Sequence, residues 1–221
     1  MKLAIMQPYL FPHISYFHLL DSVDTFVFYD DVNFINSGWV NRNKIIVNQN
    51  THLFTVPTNW TQNKKINQVE VTHQYDKWKT KFFKTLKHSY GKQKYFADGM
   101  EIVEKTFNNQ EKISEICKLS IKNVLEYLEV EKNIIDSSKI FNNQELKSSN
   151  RIKDICKKIN ADTYINSIGG KSLYTKKDFL NDSIDLFFIK SEECLNHISI
   201  IDIIMKNGKG TREYLTKYKL E

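Results

Sequence analysis

The densest group of side chains able to do chemistry lies in the first quarter of the chain. Two adjacent carboxylates are followed within fifteen residues by an arginine and a lysine. Such a group can hold a polar ligand, bind a metal, or supply a base with a charged partner. Asp and Asn also form turns and cap strands, which is the plainer interpretation. A turn needs only one Asp, so we favour a functional role. The candidates are Asp30, Asp31, Asn33, Trp39, Asn41, Arg42 and Lys44.

A second candidate is the loop that follows the first apolar run. Pro8 and Pro12 fix the backbone on either side of an aromatic pair, which preorganises a binding site at low entropic cost. Residues 13–16, His-Ile-Ser-Tyr, are similar to the His-x-Gly-His signature of nucleotide-binding α/β enzymes that make or use adenylates. Ser replaces the glycine and Tyr replaces the second histidine, so nucleotidyl transfer is kept as an alternative. The candidates here are Gln7, Tyr9 and His13.

The third candidate follows a late β-branched run. Gly169 and Gly170 let backbone N–H groups turn toward an anion, and Lys171 can add positive charge. The spacing is not that of a P-loop, and a tight turn with a surface lysine explains the same residues. Asn166, Gly169, Gly170 and Tyr174 are the candidate binding residues. We predict that the three segments converge around one pocket.

Composition restricts the class of protein. The 221 residues are 41% hydrophobic and 13% aromatic, enough for a sizeable core. Cys117, Cys156 and Cys194 are far apart, which argues against a disulfide framework and a structural zinc site. A reducing, cytoplasmic location is therefore expected. No run of about 18 apolar residues is present, so no transmembrane segment is expected.

Positive charge is concentrated in one part of the chain. Between Asp76 and Lys94 stand seven lysines and one acid, which account for the whole net charge of +6. Such a concentration can attract the phosphates of RNA, of a nucleotide sugar or of a lipid carrier. A solvated helix face is the alternative. The segment from Lys77 to Lys94 is therefore a candidate contact for tRNA.

The elements that would position these residues alternate between strands and helices. Ligands gather at the carboxyl ends of parallel strands, where the first two candidate loops lie. The pattern predicts an α/β fold with a Rossmann-like, mostly parallel sheet, an antiparallel hairpin excursion and flanking helices, in one domain over residues 1–221. Gly91 is expected to end a helix and Ser149 to cap one. Predicted strands are 2–6, 25–29, 44–47, 52–56, 69–72, 133–136, 163–166 and 184–189, and predicted helices are 15–21, 75–90, 110–129, 151–159 and 176–180.

Four segments resemble the WbqC-like family. They are MQPYLFPHISYFHLL, DTFVFYDDVNFINSGWVNRNKI, SSNRIKDICKKINADTYINSIGGKSLY and HISIIDIIMKNG. The segments are spread over residues 1–210, so the resemblance covers nearly the whole chain. This chain has His13 where the family pattern usually has Tyr, and Ser15 where it usually has Gly.

The resemblance implies a role in the biosynthesis of O-antigen, lipopolysaccharide and other surface polysaccharides. The implied reaction is glycine transfer, meaning N-acylation of an amino group on a nucleotide-linked amino sugar. ATP with Mg²⁺ or glycyl-tRNA is the expected acyl donor. No metal ligands are assigned, and the oligomeric state is left open.

Amide formation needs an activated carbonyl, a neutral amine, a base and donors for the developing oxyanion. Asp30 or Asp31 is expected to act as the base or to orient the amine, and His13 to contact an adenylate. Phosphate binding is assigned to Arg42 and Lys44, hydrogen bonding to Asn33, Asn41 and Asn166, and stacking to Tyr9 and Trp39. Two alternatives stay open: a nonenzymatic module that binds a nucleotide sugar, and a nucleotidyltransferase that releases pyrophosphate.

Overall fold

A computed structural model describes residues 1–108, 110–192 and 197–221. In these ranges the chain forms strands and α-helices joined by short 3₁₀ turns. The strands are β1 (Lys2–Met6), β2 (Thr25–Phe28), β3 (Arg42–Val47), β4 (Asn50–Thr55), β5 (Asn133–Ile135), β6 (Thr163–Ser167), β7 (Asp185–Ser191) and β8 (Tyr218–Leu220). The helices are α1 (Ile14–Asp21), α2 (Tyr75–Tyr90), α3 (Phe96–Thr106), α4 (Ile113–Tyr127), α5 (Ser148–Lys158), α6 (Lys176–Leu180) and α7 (Ile200–Asn207).

Six strands form one sheet in the order β5-β2-β1-β6-β7-β8. The first five in this order are parallel, and β8 pairs with β7 in the antiparallel direction. Parallel strands bring the loops after β1, β2, β5 and β6 to the same edge of the sheet. The predicted α/β class, with a mostly parallel sheet and flanking helices, is confirmed.

Successive side chains along the central strands point to opposite faces of the sheet, and this divides the core into two layers. In β1, Leu3 and Ile5 join a cluster packed against α5 and α6, whereas Ala4 joins the larger cluster on the opposite face. In β2, Val27 faces the first cluster, and Phe26 and Phe28 face the second. Successive side chains of a strand point to opposite faces, so apolar residues at every position predict a sheet covered on both sides.

The strands β3 and β4 form a separate antiparallel hairpin, as predicted. Their two-residue turn is Asn48-Gln49, and both residues have left-handed backbone angles, with φ of 49° and 65°. That geometry matches the right-handed twist of the paired strands. Because β3 begins at Arg42, the hairpin fixes the first of the candidate cationic side chains at one end of the ladder.

Several local predictions are corrected by the structure. Residues 69–72 do not form a strand; they contribute isolated bridges through Glu70 and Val71. Ser149 does not cap α5, because the helix begins at Ser148 with Lys147 in the capping position. Gly91 does follow α2, but its φ of −59° is right-handed. The helix α3 and the strand β8 were not predicted.

None of the helices in the described ranges combines the length and apolar character that crossing a membrane requires. Cys117 and Cys156 are buried as free thiols. Burial raises the pKa of both thiols, which keeps them protonated. The third cysteine, Cys194, lies outside the described residues.

Candidate functional site

A cavity of about 350 Å³ lies beside the loop that follows β1. In the order of the sheet, β1 separates β2 from β6, and the chain connections change direction at this point. Loops at such a switch point form the ligand sites of open α/β sheets. We call it the proline-loop cavity; its lining residues are Tyr9, Pro12, His13, Trp39, Asn43, Lys44 and His197.

Buried polar contacts hold the loop of this cavity in one conformation. Asn43 donates from Nδ2 to the carbonyls of Leu10 at 3.1 Å and Phe11 at 2.7 Å. Ser120 of α4 accepts the Phe11 N–H at 2.9 Å, and Ser199 donates to the Phe11 carbonyl at 2.9 Å. Phe11 has a left-handed φ of 41°, an uncommon conformation for a side chain of this size. The surrounding hydrogen bonds determine that conformation, so Asn43 positions the loop.

His13 is the titratable group that is most perturbed in this cavity. Burial lowers its pKa to about 4, assisted by the nearby imidazoles of His197 and His18. Its ring centroid lies 5.1 Å from that of His197 in an edge-to-face arrangement. The Nδ1 atom is buried and has no hydrogen-bond partner among the described residues. At neutral pH the imidazole is therefore uncharged, and its half-buried ring lines the cavity.

Positive charge stands beside the same cavity over an exposed indole. The guanidinium carbon of Arg42 and the Nζ atom of Lys44 each lie 5.4 Å from the centroid of Trp39. Trp39 is 45% exposed, so one part of its ring is open to a ligand. Arg42 also donates to the carbonyl of Ser37. An aromatic surface flanked by two cations suits a planar base or a sugar that carries phosphate.

Asp30 and Asp31 belong to a different, more polar cleft. This acid-pair cleft, of about 640 Å³, lies at the carboxyl ends of β2 and β5 and shares no lining residue with the proline-loop cavity. Its lining residues are Asp30, Asp31, Lys65, Asn67, Gln68, Lys112, Glu115, Lys118, Ser137, Lys139, Asn142 and Gln144.

Both oxygens of Asp31 are occupied by hydrogen bonds. Arg151 of α5 donates to Oδ1 at 2.7 Å and to Oδ2 at 2.6 Å, and both side chains are buried. Ser138 donates to Oδ1, and Gln144 donates to Oδ2 at 3.0 Å. Burial tends to raise the pKa of Asp31, but the bonds from Ser138, Arg151 and Gln144 outweigh it and lower the pKa below 3.8. Asp31 is therefore a stable anion with little capacity to take up a proton at neutral pH.

Asp30 forms a second buried pair, with Lys118 of α4. Its Oδ2 lies 2.8 Å from the Lys118 Nζ, and its Oδ1 accepts from Ser137 at 2.6 Å. Lys118 also contacts Glu115 at 3.0 Å. Burial tends to lower the pKa of Lys118, but hydrogen bonds and attraction to Asp30 and Glu115 raise it overall. The lysine therefore stays charged within the fold.

The chain is similar in sequence to known proteins. Residues 7–214 match the WbqC-like protein family. The chain belongs to this family. It is also 22% identical over 232 residues to an uncharacterized protein of Mycobacterium tuberculosis (strain ATCC 25618 / H37Rv), an alignment that covers 97% of each chain. No solved structure matches the chain.

Three candidate amides of this WbqC-like chain stabilise backbone or neighbouring side chains. Asn33 accepts from the Lys65 Nζ at 2.7 Å, and Asn41 donates to the Val56 carbonyl at 2.8 Å. Asn166 accepts the N–H of Ser167 at 2.7 Å. The Gln7 carbonyl, in the first loop, accepts from the Tyr16 hydroxyl at 2.9 Å. Tyr16, which stands in place of the second histidine of the His-x-Gly-His signature, is therefore engaged within the protein.

The diglycine segment lies in a 3₁₀ turn after β6 and lines neither the proline-loop cavity nor the acid-pair cleft. A Cβ atom on Gly170 would stand 2.5 Å from the Asn166 side chain, whereas one on Gly169 would meet no atom closer than 3.9 Å. Tyr174 packs edge-to-face on Tyr164 at 6.1 Å. The expected single pocket is thus divided: the structure groups Tyr9, His13, Trp39 and Lys44, and it places the acids and the glycines elsewhere.

Four residues that complete the proline-loop cavity and the acid-pair cleft were not identified from the sequence. His197 and Asn43 line the proline-loop cavity, and Arg151 and Lys118 neutralise the two acids. Arg151 is one of only three arginines in a lysine-rich chain, and a rare arginine within an amphipathic helix is a usable signal for a buried ion pair. His197 carries no comparable signal, because its neighbours in sequence do not indicate that it meets His13.

Proposed function

We propose that this WbqC-like protein transfers a glycyl group to the amino group of a nucleotide-linked amino sugar during surface-polysaccharide biosynthesis. The observation that carries the proposal is the state of His13. Its imidazole is neutral at physiological pH, is half-buried, and lines the proline-loop cavity. Such a group can accept the proton that an attacking amine must lose.

The reaction forms one bond and breaks one bond at the glycyl carbonyl carbon. The sugar nitrogen attacks this carbon, and the C–N bond forms as the bond to the activating oxygen breaks. The leaving group takes the electron pair of that bond, and the neutral imidazole of His13 takes the proton from nitrogen. A base with a pKa of about 4 is weak, but it is unprotonated at every physiological pH and is already in place.

The nucleotide part of the substrate is assigned to the surface formed by Trp39, Arg42 and Lys44. The exposed indole provides a stacking face, and the two cations lie at 5.4 Å from its centroid. Arginine and lysine both bind phosphate, the first through its planar fork and the second as a point charge. Tyr9, which lines the same cavity, adds a second aromatic side chain. Its pKa is raised by burial, so the phenol stays protonated and can donate.

Asp30 and Asp31 take a supporting role in this proposal. Each acid is ion-paired within the fold, Asp31 with Arg151 and Asp30 with Lys118. A carboxylate with several hydrogen bonds to its charged form is a poor proton acceptor. We therefore assign the base to His13 and the two acids to the stability of the sheet edge.

Two acyl donors are compatible with the proposal, and each predicts a different requirement for activity. With glycyl-tRNA, the lysines of α2 would contact the RNA backbone, and activity would fall steeply with salt. With glycine and ATP, turnover would require Mg²⁺ and release pyrophosphate. Most of the lysines from Lys77 to Lys94 are exposed, as the first branch requires.

The test is a product assay with purified protein and a panel of nucleotide-linked amino sugars. Each sugar is incubated with glycine and ATP–Mg²⁺ or with glycyl-tRNA, and the product is followed by mass. We expect the mass to increase by one glycyl unit with one donor. His13→Gln should lower kcat by about 100-fold or more with little change in KM, because only proton transfer is removed.

His88→Gln is the matched control, since His88 is exposed on α2 and does not line the proline-loop cavity. It should leave kcat unchanged. The absence of a glycylated product with every donor and sugar would refute the transferase. Saturable binding of the nucleotide sugar without turnover would favour the nonenzymatic module instead.

A further inference from the structure

The acid-pair cleft has the size and position of a ligand site, yet its residues take no direct part in the proposed reaction. Its volume of about 640 Å³ lies within the usual range of small-molecule sites. It opens at the carboxyl ends of β2 and β5, the edge at which parallel sheets bind ligands.

Lysines give the cleft an excess of positive charge. Asp30 and Asp31 are neutralised by Lys118 and Arg151 within its floor. Lys112 and Lys139 line the same cleft and have no acidic partner in the part of the chain that the structure describes. Lys65 donates from Nζ to the neutral amide of Asn33 at 2.7 Å. Glu115 also lines the cleft and shares Lys118 with Asp30, so the cleft and its ion-pair partners carry two positive charges in excess of the carboxylates.

The floor of the cleft is rigid and offers further donors. Lys118 is 5% exposed, and two of the three N–H groups of its ammonium are directed to Asp30 and Glu115, so the third remains for a ligand. Lys112 immediately precedes α4 in an extended conformation, and Lys118 lies in its second turn, so both are near the N-terminal end of the helix, which adds positive potential. Asn67 and Asn142 also line the cleft.

We propose that the acid-pair cleft is a phosphate-binding site, separate from the proline-loop cavity, for a ligand with at least two negative charges. Lysine ammonium groups bind phosphate as point charges, and buried ion pairs hold the surrounding loops in place without neutralising Lys65, Lys112 and Lys139. The polar lining suits a sugar phosphate or a nucleotide phosphate. This site does not depend on glycyl transfer, since phosphate binding requires no acyl donor.

The test measures binding to the full chain by isothermal titration calorimetry at low salt. The ligands are inorganic pyrophosphate, ADP and glucose 1-phosphate. Comparing their affinities shows whether the site recognises phosphate alone, a nucleotide or a sugar phosphate. We expect saturable one-to-one binding of at least one ligand. The double variant Lys112→Gln/Lys139→Gln should weaken it by about 10-fold or more, because two charges are lost from the site.

Two further variants locate the site. Lys84→Gln/Lys87→Gln removes the same charge from exposed positions of α2, and Lys44→Gln alters the proline-loop cavity. Each should change the affinity for inorganic pyrophosphate by less than about twofold; ADP can also bind at Trp39, Arg42 and Lys44, so its affinity is not used for this comparison. If the double variant in the cleft fails to fold, Lys139→Ala alone, at an exposed position, serves in its place. The proposal is overturned if no ligand binds saturably, if the α2 variant weakens binding as much as the cleft variant, or if only Lys44→Gln weakens it.

Discussion

At the scale of single residues, two titratable groups near the sheet edge have opposite environments. Asp31 is surrounded by donors that hold it as an anion, whereas His13 is half-buried as a neutral imidazole. The acidic cluster could be recognised from the sequence. Its neutralisation could not, because Arg151 is 120 residues away and only the folded chain brings it to Asp31.

Replacing Arg151 by methionine should strongly destabilise the protein. Methionine keeps much of the volume but leaves the buried carboxylate of Asp31 without its partner, which costs about 3–5 kcal/mol in comparable buried pairs. The free energy of unfolding in urea measures the effect. Arg212→Met changes an exposed arginine and should shift that free energy by less than about 0.5 kcal/mol. Equal effects of the two substitutions would contradict the structural role of the buried pair.

Acid should also weaken the fold through Asp31. Its pKa in the folded protein is below the ordinary value of 3.8, so the unfolded chain binds more protons as the pH falls through this range. The stabilisation from Asp31 is therefore complete above about pH 5 and is lost below pH 4. Urea unfolding of the wild type and of Asp31→Asn between pH 3 and pH 6 should converge at the acidic end. Parallel curves across that range would argue against a lowered pKa.

His13 makes the stability of the fold depend on pH in a different range. Its folded pKa of about 4 lies below the ordinary 6.5, so between these values the unfolded chain binds the extra proton. The contribution of neutral His13 to stability is complete above pH 6.5 and is lost as the pH falls toward 4. A histidine-resolved NMR titration, with His13→Gln to assign the signal, should find a midpoint near 4. His197→Gln should raise that midpoint, because it removes a neighbouring positive charge.

At the scale of elements, one tyrosine links the hairpin to two helices. The Tyr90 hydroxyl, at the end of α2, accepts the Ile46 N–H of β3 at 2.8 Å and donates to Asp202 of α7 at 2.7 Å. Burial raises the pKa of Tyr90, and so do the repulsion that a phenolate would meet from the Asp202 carboxylate and the hydrogen bond to that carboxylate. The hairpin that carries Arg42 and Lys44 is not paired with the main sheet, and this contact fixes its position together with the hydrogen bonds of Asn43 to the proline loop.

Tyr90→Phe should destabilise the protein by about 1–3 kcal/mol, because it leaves a partly buried N–H and a buried carboxylate oxygen without this partner. Hydrogen exchange should accelerate most at the Ile46 amide. Tyr95→Phe is the control, since it removes a hydroxyl with no hydrogen bond among the described residues. Unchanged exchange at Ile46 in Tyr90→Phe would contradict the link.

Hydrophobic periodicity in the sequence is sufficient to predict the long or strongly apolar helices and strands. It does not predict elements that form because of contacts with distant parts of the chain. The bounds of β1, α2 and α6 agree with the sequence-based prediction. The helix α3 was missed because Gly99 weakens its helical pattern, yet a Cβ atom there would stand 2.5 Å from Met205. The strand β8 has only three residues, and its pairing with β7 defines it.

At the scale of the whole molecule, the two core clusters share one sheet. Each central strand contributes side chains to both clusters, as Leu3 and Ala4 do in β1. The sequence predicted both the class of fold and the edge at which polar loops gather. It could not predict which loops meet, because the strand order depends on pairing between residues far apart in the chain. That is why the acids, the proline loop and the glycines were expected in a single pocket.

Because the clusters share strands, we expect the chain to unfold as one cooperative unit. Calorimetry should give a single transition with equal calorimetric and van't Hoff enthalpies and a heat-capacity increase of about 3 kcal/mol/K for a chain of this length. Two resolved transitions would indicate two independent domains and would contradict the predicted single domain over residues 1–221.

The left-handed turn at Asn48-Gln49 has a practical consequence. Both residues are exposed, and the turn lies at the opposite end of β3 from Arg42, about 20 Å away along an extended strand. A fluorescent dye attached there would move with the cationic end of the ladder without obstructing the proline-loop cavity. A label at this turn could therefore report substrate binding by a change in fluorescence.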